Sequence, residues 1–135
     1  MVKIILKYCL GCILVISLAA CANEPEAKSY EHFDHIDHWD DLDDIDTDFT
    51  IIYYYSPFCD ICISLEDEVT GYLKRLETDY TIYLIDDGMI YEQGEPPFET
   101  RGVPALFIYD DGTFQEMING SKPVVDYLSN RVENQ

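Results

Sequence analysis

The spacing of apolar positions changes several times along the chain, and each change marks an element. Tyr8 to Ala20 is apolar and uncharged, and Lys3 and Lys7 precede it. A membrane-spanning helix needs about 20 apolar residues, so this shorter run reads as a secretory signal over residues 1–20. Ala22 to Ser29 is polar and aperiodic, which predicts a tether. Phe33, Ile36, Trp39, Leu42 and Ile45 then recur at every third position among acids and histidines. On an α-helix a three-residue step drifts by about 60°, so one long helix would not hold them on one face. The segment therefore predicts a short strand at Tyr30–Ile36 and a short helix at His38–Ile45, with Asp37 as its N-cap.

Phe49 to Tyr55 is β-branched and aromatic, the pattern of a strand buried on both faces. Ile63, Leu65, Val69, Tyr72, Leu73 and Leu76 return at helical spacing, predicting one helix to about Thr78. Thr81–Ile85 reads as a second buried strand. Gly88, Gly94, Pro96 and Pro97 allow only a short helix between Asp86 and Gly102. Ala105–Tyr109 is a third strand, Asp110-Asp111-Gly112 a hairpin turn, and Thr113–Ile118 the returning strand. Val124, Tyr127, Leu128 and Val132 mark a terminal amphipathic helix. Strand–helix–strand order implies parallel pairing through right-handed crossovers, and the last hairpin adds antiparallel strands. The expected class is α/β, in three layers: a mixed central sheet with helices on both faces.

A chain of 135 residues suits one domain, and 47% hydrophobic residues exclude wholesale disorder. Charge changes the picture more. With residues 1–20 removed, six bases remain against 27 acids, a formal charge of −21. That excludes a nucleic-acid binder working by phosphate neutralisation, and equally a polybasic membrane patch. It favours cations or basic partners.

Leu18-Ala19-Ala20-Cys21 resembles a bacterial lipobox. The resemblance implies cleavage before Cys21 and acylation of its sulfur. Each buried methylene contributes about 0.8 kcal/mol, so two chains anchor stably in a bilayer. The expected organisation is a signal peptide over 1–20, a lipidated cysteine and tether over 21–29, and a folded domain over 30–135. Cys9 and Cys12 leave with the signal. Cys59 and Cys62 remain as thiols, in a compartment where disulfides form.

These two cysteines lie in Ser56-Pro57-Phe58-Cys59-Asp60-Ile61-Cys62, between a buried strand and a helix start. Free N–H groups and the positive dipole end of a helix stabilise a thiolate there. Cys59 is expected to be exposed and Cys62, one turn further, to face inward. A two-residue spacer permits a reversible disulfide.

The chain resembles thioredoxin-fold proteins over roughly 30–133. Strand-Cys-x-x-Cys-helix carries one half of the likeness, and Arg101-Gly102-Val103-Pro104-Ala105-Leu106-Phe107 the other. Asp-Gly before the last hairpin strand and Gly120-Ser121-Lys122-Pro123 before the final helix also match. The resemblance implies a cis-proline at Pro104 packed against the cysteines, with Phe58, Val103 and Pro104 shaping a substrate groove. It implies thiol–disulfide exchange in which Cys59 attacks and Cys62 resolves the mixed disulfide, with no cofactor and no metal. The implied partners are exported proteins with cysteines and a membrane thiol carrier as electron partner, with the protein held outside the cytoplasm on the bilayer by Cys21. Three positions depart from the family pattern. Phe58 replaces the usual Trp, Asp60-Ile61 replaces the common Gly-Pro spacer, and Tyr53 stands where a buried acid is usual.

A different class remains open: a non-catalytic binding module of the same fold, with a structural Cys59–Cys62 disulfide and an acidic surface for a basic partner or a metal. His32, His35 and His38 alternate with Asp34, Asp37, Asp40 and Asp41, and imidazole with carboxylate suits zinc or copper. Convergence needs a helix, whereas a strand separates them, so the segment reads as a solvated acidic face. Tyr53, Tyr54 and Tyr55 read as core. Ile90, Tyr91 and Phe98 either line a groove or pack beneath their loop.

Overall fold

The computed structural model describes residues 29–90, 93–94 and 96–135. The expected signal segment, Cys21, residues 22–28 of the tether, and Tyr91 lie outside the described residues. Among those described, no helix is long and apolar enough to cross a membrane.

Strand β1 (Phe49–Tyr55) is buried from Thr50 to its end, as its β-branched and aromatic composition requires. It is flanked on both sides. Strand β2 (Thr81–Asp86) pairs with it in parallel, Ile52 opposite Tyr83. Strand β3 (Ala105–Asp110) pairs antiparallel, Ile52 opposite Phe107. Strand β4 (Thr113–Asn119) completes the order β2-β1-β3-β4. The parallel crossover from β1 to β2 carries helices α1 (Asp60–Ser64) and α2 (Glu66–Leu76). The short α3 (Asp87–Ile90) follows β2, and α4 (Ser121–Glu133) closes the chain.

The two-residue alternation of β1 divides the interior. Ile51, Tyr53 and Tyr55 join Val69, Leu73 and Leu76 of α2 and Val124 and Leu128 of α4. Ile52 and Tyr54 face the other side, with Trp39, Leu42, Ile45, Ile90 and Phe107. Helices cover the first side. The second is covered by α3, a 3-10 helix (Trp39–Asp44) and the loop bearing Phe98, whose ring meets Trp39 and Phe107 edge-on. Ile90 is therefore core, and Phe98 packs beneath its loop.

The N-terminal segment differs from its expected form. Tyr30–His32 is a 3-10 turn rather than a strand. Extended pairing shrinks to one bridge, His35 with Leu84. The cause is a clamp: Ser29 Oγ and the Tyr30 amide both donate to Glu66 Oε1, at 2.9 and 3.1 Å, and bend the chain beneath α2. Over Trp39–Asp44 the helix is 3-10, not α. A 3-10 helix has 3.0 residues per turn, so a period of three keeps Trp39 and Leu42 on one face. Its N-cap is His38, not Asp37, and the His38 amide donates to Asp41 Oδ2 at 3.3 Å. The single helix expected to about Thr78 is two, broken at Leu65. The β3–β4 turn has positive φ at Asp111 (49°) and Gly112 (69°), the geometry of a tight hairpin.

Candidate active site

Strand β1 ends at Tyr55, and the next four residues turn the chain into α1. Cys59 is the N-cap, in extended conformation, and the Cys62 amide donates to its sulfur at 3.2 Å. Phe58 is 87% exposed and Cys59 half-buried, whereas Cys62 is fully buried. The Cys62 thiol donates to Cys59 Sγ across 2.7 Å. Burial first, and then the hydrogen bond to Cys59, push the Cys62 thiol up to about 12. The arrangement is asymmetric: one sulfur open to a partner and capped by a backbone donor, the other shielded and protonated.

The register brings the second motif to the same end of the sheet. Tyr54 lies opposite Ala105, so Pro104 enters β3 beside the point where β1 leaves for Cys59. The Val103–Pro104 peptide is cis. Pro104 is buried, and half-buried Val103 packs on the cluster that holds Cys62. The Gly120 amide donates to Pro104 O at 2.9 Å, and Asn119 Nδ2 to Gly102 O at 2.9 Å, so the loop is tied at both flanks. On the other flank of the cysteines Phe58 edges the β2–α3 turn: a Cβ on Gly88 would stand 3.5 Å from its ring. Phe58 precedes Cys59 in the chain, and Val103 and Pro104 enter the sheet at the end where β1 leaves for Cys59.

Two site residues were not assigned a role from sequence. Tyr30 Oη donates to the Cys62 carbonyl at 2.8 Å and lies 3.2 Å from Tyr53 Oη. Both rings are buried, and burial raises both phenols well above their ordinary value. From sequence Tyr53 reads as core and as the residue standing where an acid is usual. Tyr30 carries no local signal, because its partners are 23 and 32 residues away.

The histidines do not converge. His35 Nδ1 lies 2.9 Å from Phe33 O and Nε2 3.0 Å from Tyr55 Oη, so both ring nitrogens are engaged. Since a carbonyl only accepts, Nδ1 is the donor to Phe33 O. His38 Nδ1 meets Gln93 Oε1 at 2.9 Å, and His32 is exposed. Among the described residues no three His, Cys, Asp or Glu side chains are placed to hold a metal ion.

No protein-family model and no curated protein matches the chain. Solved structures do. Mitochondrial thioredoxin 3 from Saccharomyces cerevisiae, in its oxidised form, superposes with a TM-score of 0.65 at 16% identity, over 80% of this chain and 100% of that one. A mutant thioredoxin from Halobacterium salinarum gives 0.59 at 27% identity, over 79% and 93%. Thioredoxin f2 from Chlamydomonas reinhardtii gives 0.58 at 18%, over 76% and 94%. The chain has the thioredoxin-like α/β fold.

Proposed function

We propose that this protein is a membrane-tethered, extracytoplasmic thiol–disulfide oxidoreductase acting on cysteines of exported proteins. One observation carries the reading: a half-buried Cys59 at a helix N-cap, 2.7 Å from a buried Cys62. Cys59 attacks a substrate disulfide, or is attacked as half of its own. Cys62 resolves the mixed disulfide. Phe58, Val103 and Pro104 form the groove that receives the substrate segment. A membrane thiol carrier returns the pair to its working state. The tether is an acylated Cys21 followed by residues 22–29, and its support is the signal-like run and the lipobox-like Leu18-Ala19-Ala20-Cys21.

Insulin-disulfide reduction tests the chemistry. The protein is expected to accelerate it, and Cys59→Ser to abolish the effect. An unreactive wild type would make the domain a binding module with a structural disulfide. Fractionation tests the anchor separately: Cys21→Ser is expected to leave the membrane or to stay unprocessed. A processed Cys21→Ser protein still in the membrane fraction would reject lipidation.

A further inference from the structure

The two hydroxyls beneath Cys62 form a chain with a direction. A carbonyl oxygen only accepts, so the Tyr30 O–H is committed to Cys62 O at 2.8 Å. Tyr53 must then be the donor across the 3.2 Å to Tyr30 Oη. The order runs from Tyr53 O–H to Tyr30 O–H to the Cys62 carbonyl. The rings lie 5.3 Å apart, and both are at least nine-tenths buried. The carbonyl they hold belongs to α1, three residues before the break at Leu65. Tyr53 also lies within electrostatic reach of both sulfurs. Among the described residues no carboxylate, lysine or histidine is fully buried. The floor of the site is built of hydroxyls, and half-buried Glu66 of α2 faces it, accepting from the Tyr30 amide and raising the Tyr30 phenol.

We infer that Tyr30 and Tyr53 are positioning residues for the resolving step, their hydroxyl chain pinning the Cys62 backbone and with it the attacking sulfur. The inference rests on the oxidoreductase reading above. In the mixed disulfide Cys59 Sγ is bonded to a substrate sulfur. Deprotonated Cys62 Sγ forms a bond to Cys59 Sγ, and the bond from Cys59 to the substrate sulfur breaks. The electron pair leaves with the substrate sulfur, which takes up a proton from solvent to replace the one Cys62 lost. Over both steps the two cysteines lose two electrons and the substrate disulfide gains them. Among the described residues no fully buried base is placed to take the Cys62 proton, so the step draws on the small thiolate fraction of a thiol that burial holds above its ordinary value. The Tyr53–Tyr30 chain holds the Cys62 carbonyl, and so the backbone that carries the attacking sulfur, as a phenylalanine ring cannot.

The test is stopped-flow kinetics of the full processed protein in detergent with a fluorescent peptide disulfide, from pH 6 to 9. Attack by Cys59 and resolution by Cys62 are followed separately in wild type, Tyr53→Phe and Tyr30→Phe. Wild-type resolution is expected to rise about tenfold per pH unit, as a rate carried by a thiolate minority does. Tyr53→Phe is expected to slow resolution about tenfold at every pH, leaving attack within about twofold and the pH slope intact, the fold-change that matches loss of roughly one buried hydrogen bond. Tyr30→Phe is expected to slow resolution in the same direction. It carries the test alone if Tyr53→Phe gives no cooperative melt. Unchanged resolution in a folded variant would make the hydroxyls simple core groups and overturn the inference. Loss of the pH slope in Tyr53→Phe would make Tyr53 the base and overturn it as well. A wild type that never attacks the peptide disulfide would instead reject the oxidoreductase reading, before the variants are compared.

Discussion

Cys62 reaches the Cys59 sulfur twice, with its amide at 3.2 Å and its thiol at 2.7 Å. Both contacts come from one residue because Cys59 is the N-cap and Cys62 sits at the third helical position of α1. The outer sulfur therefore keeps a backbone donor even when the inner thiol is removed. In Cys62→Ser the amide still caps Cys59, attack still occurs, and no second thiol remains among the described residues to finish the exchange. Cells carrying Cys62→Ser are expected to accumulate DTT-sensitive adducts of the protein, absent from the Cys59→Ser/Cys62→Ser double variant. Adducts appearing only in Cys59→Ser would reverse the two roles.

Burial of Cys62 also predicts how stability depends on pH. Its folded value is raised, to about 12 from 9.0. A raised thiol favours folding below its unfolded value, and that contribution is lost as pH climbs toward the folded one. Between about 9 and 12 the unfolded chain releases a proton that the folded chain keeps, so the reduced protein loses about 1.4 kcal/mol per pH unit from this group. Tyr30 and Tyr53 add the same sign above their ordinary value of 10.0. Urea midpoints of reduced wild type and Cys62→Ser should diverge from pH 8 to 10.5, wild type falling faster. Parallel curves would show that Cys62 is not shielded.

Much of this was legible in the sequence, for a physical reason. The four strands declare themselves through β-branched and aromatic runs bounded by turn residues, and only their ends moved, by a residue. The cysteine pair and the Pro104 segment are local motifs, so their resemblance sufficed to place them at one end of a sheet. What escaped depends on distant partners. A period of three from Phe33 to Ile45 fits neither α-helix nor strand; over Trp39–Asp44 a 3-10 helix meets it against the face of Tyr54 and Phe107, while Phe33 turns to the other core. The break at Leu65 has no glycine or proline to announce it. The clamp from Ser29 and Tyr30 to Glu66 joins residues 37 and 36 apart, beyond any window of local pattern.

The acidic composition bears on substrate choice. Asp60 follows Cys59 directly, Asp86 and Asp87 lie at the turn that Phe58 edges, and Asp86, Glu66 and Glu31 all raise the Tyr55 phenol after burial does. Arg101 is the lone base of the cis-proline loop. Such a field draws cationic segments and repels anionic ones, and salt screens it, with a Debye length of about 10 Å at 0.1 M and about 3 Å at 1 M. A peptide disulfide flanked by arginines is expected to react roughly tenfold faster than its glutamate counterpart at low salt, with the ratio near one at 1 M. Equal rates at low salt would show that the charge around Cys59 does not select substrates.

Two glycines should respond to alanine with opposite sign. Gly112 has φ of 69°, and a Cβ there would stand 2.5 Å from the Ile45 carbonyl oxygen. That oxygen belongs to the residue capping the 3-10 helix, so the hairpin turn presses on the cover of the second core. Alanine must either shift that backbone or give up the tight turn, and backbone strain alone costs about 1–3 kcal/mol. Gly71 lies within α2, has no positive φ, and meets nothing within 4 Å of an added Cβ. Alanine there removes unfolded-state freedom without a clash and should stabilise by about 0.5–1 kcal/mol. Urea unfolding of the two variants gives the comparison: Gly112→Ala is expected to lower the midpoint and Gly71→Ala to raise it, with unchanged m-values. A Gly112→Ala protein as stable as wild type would mean that the turn does not bear on Ile45.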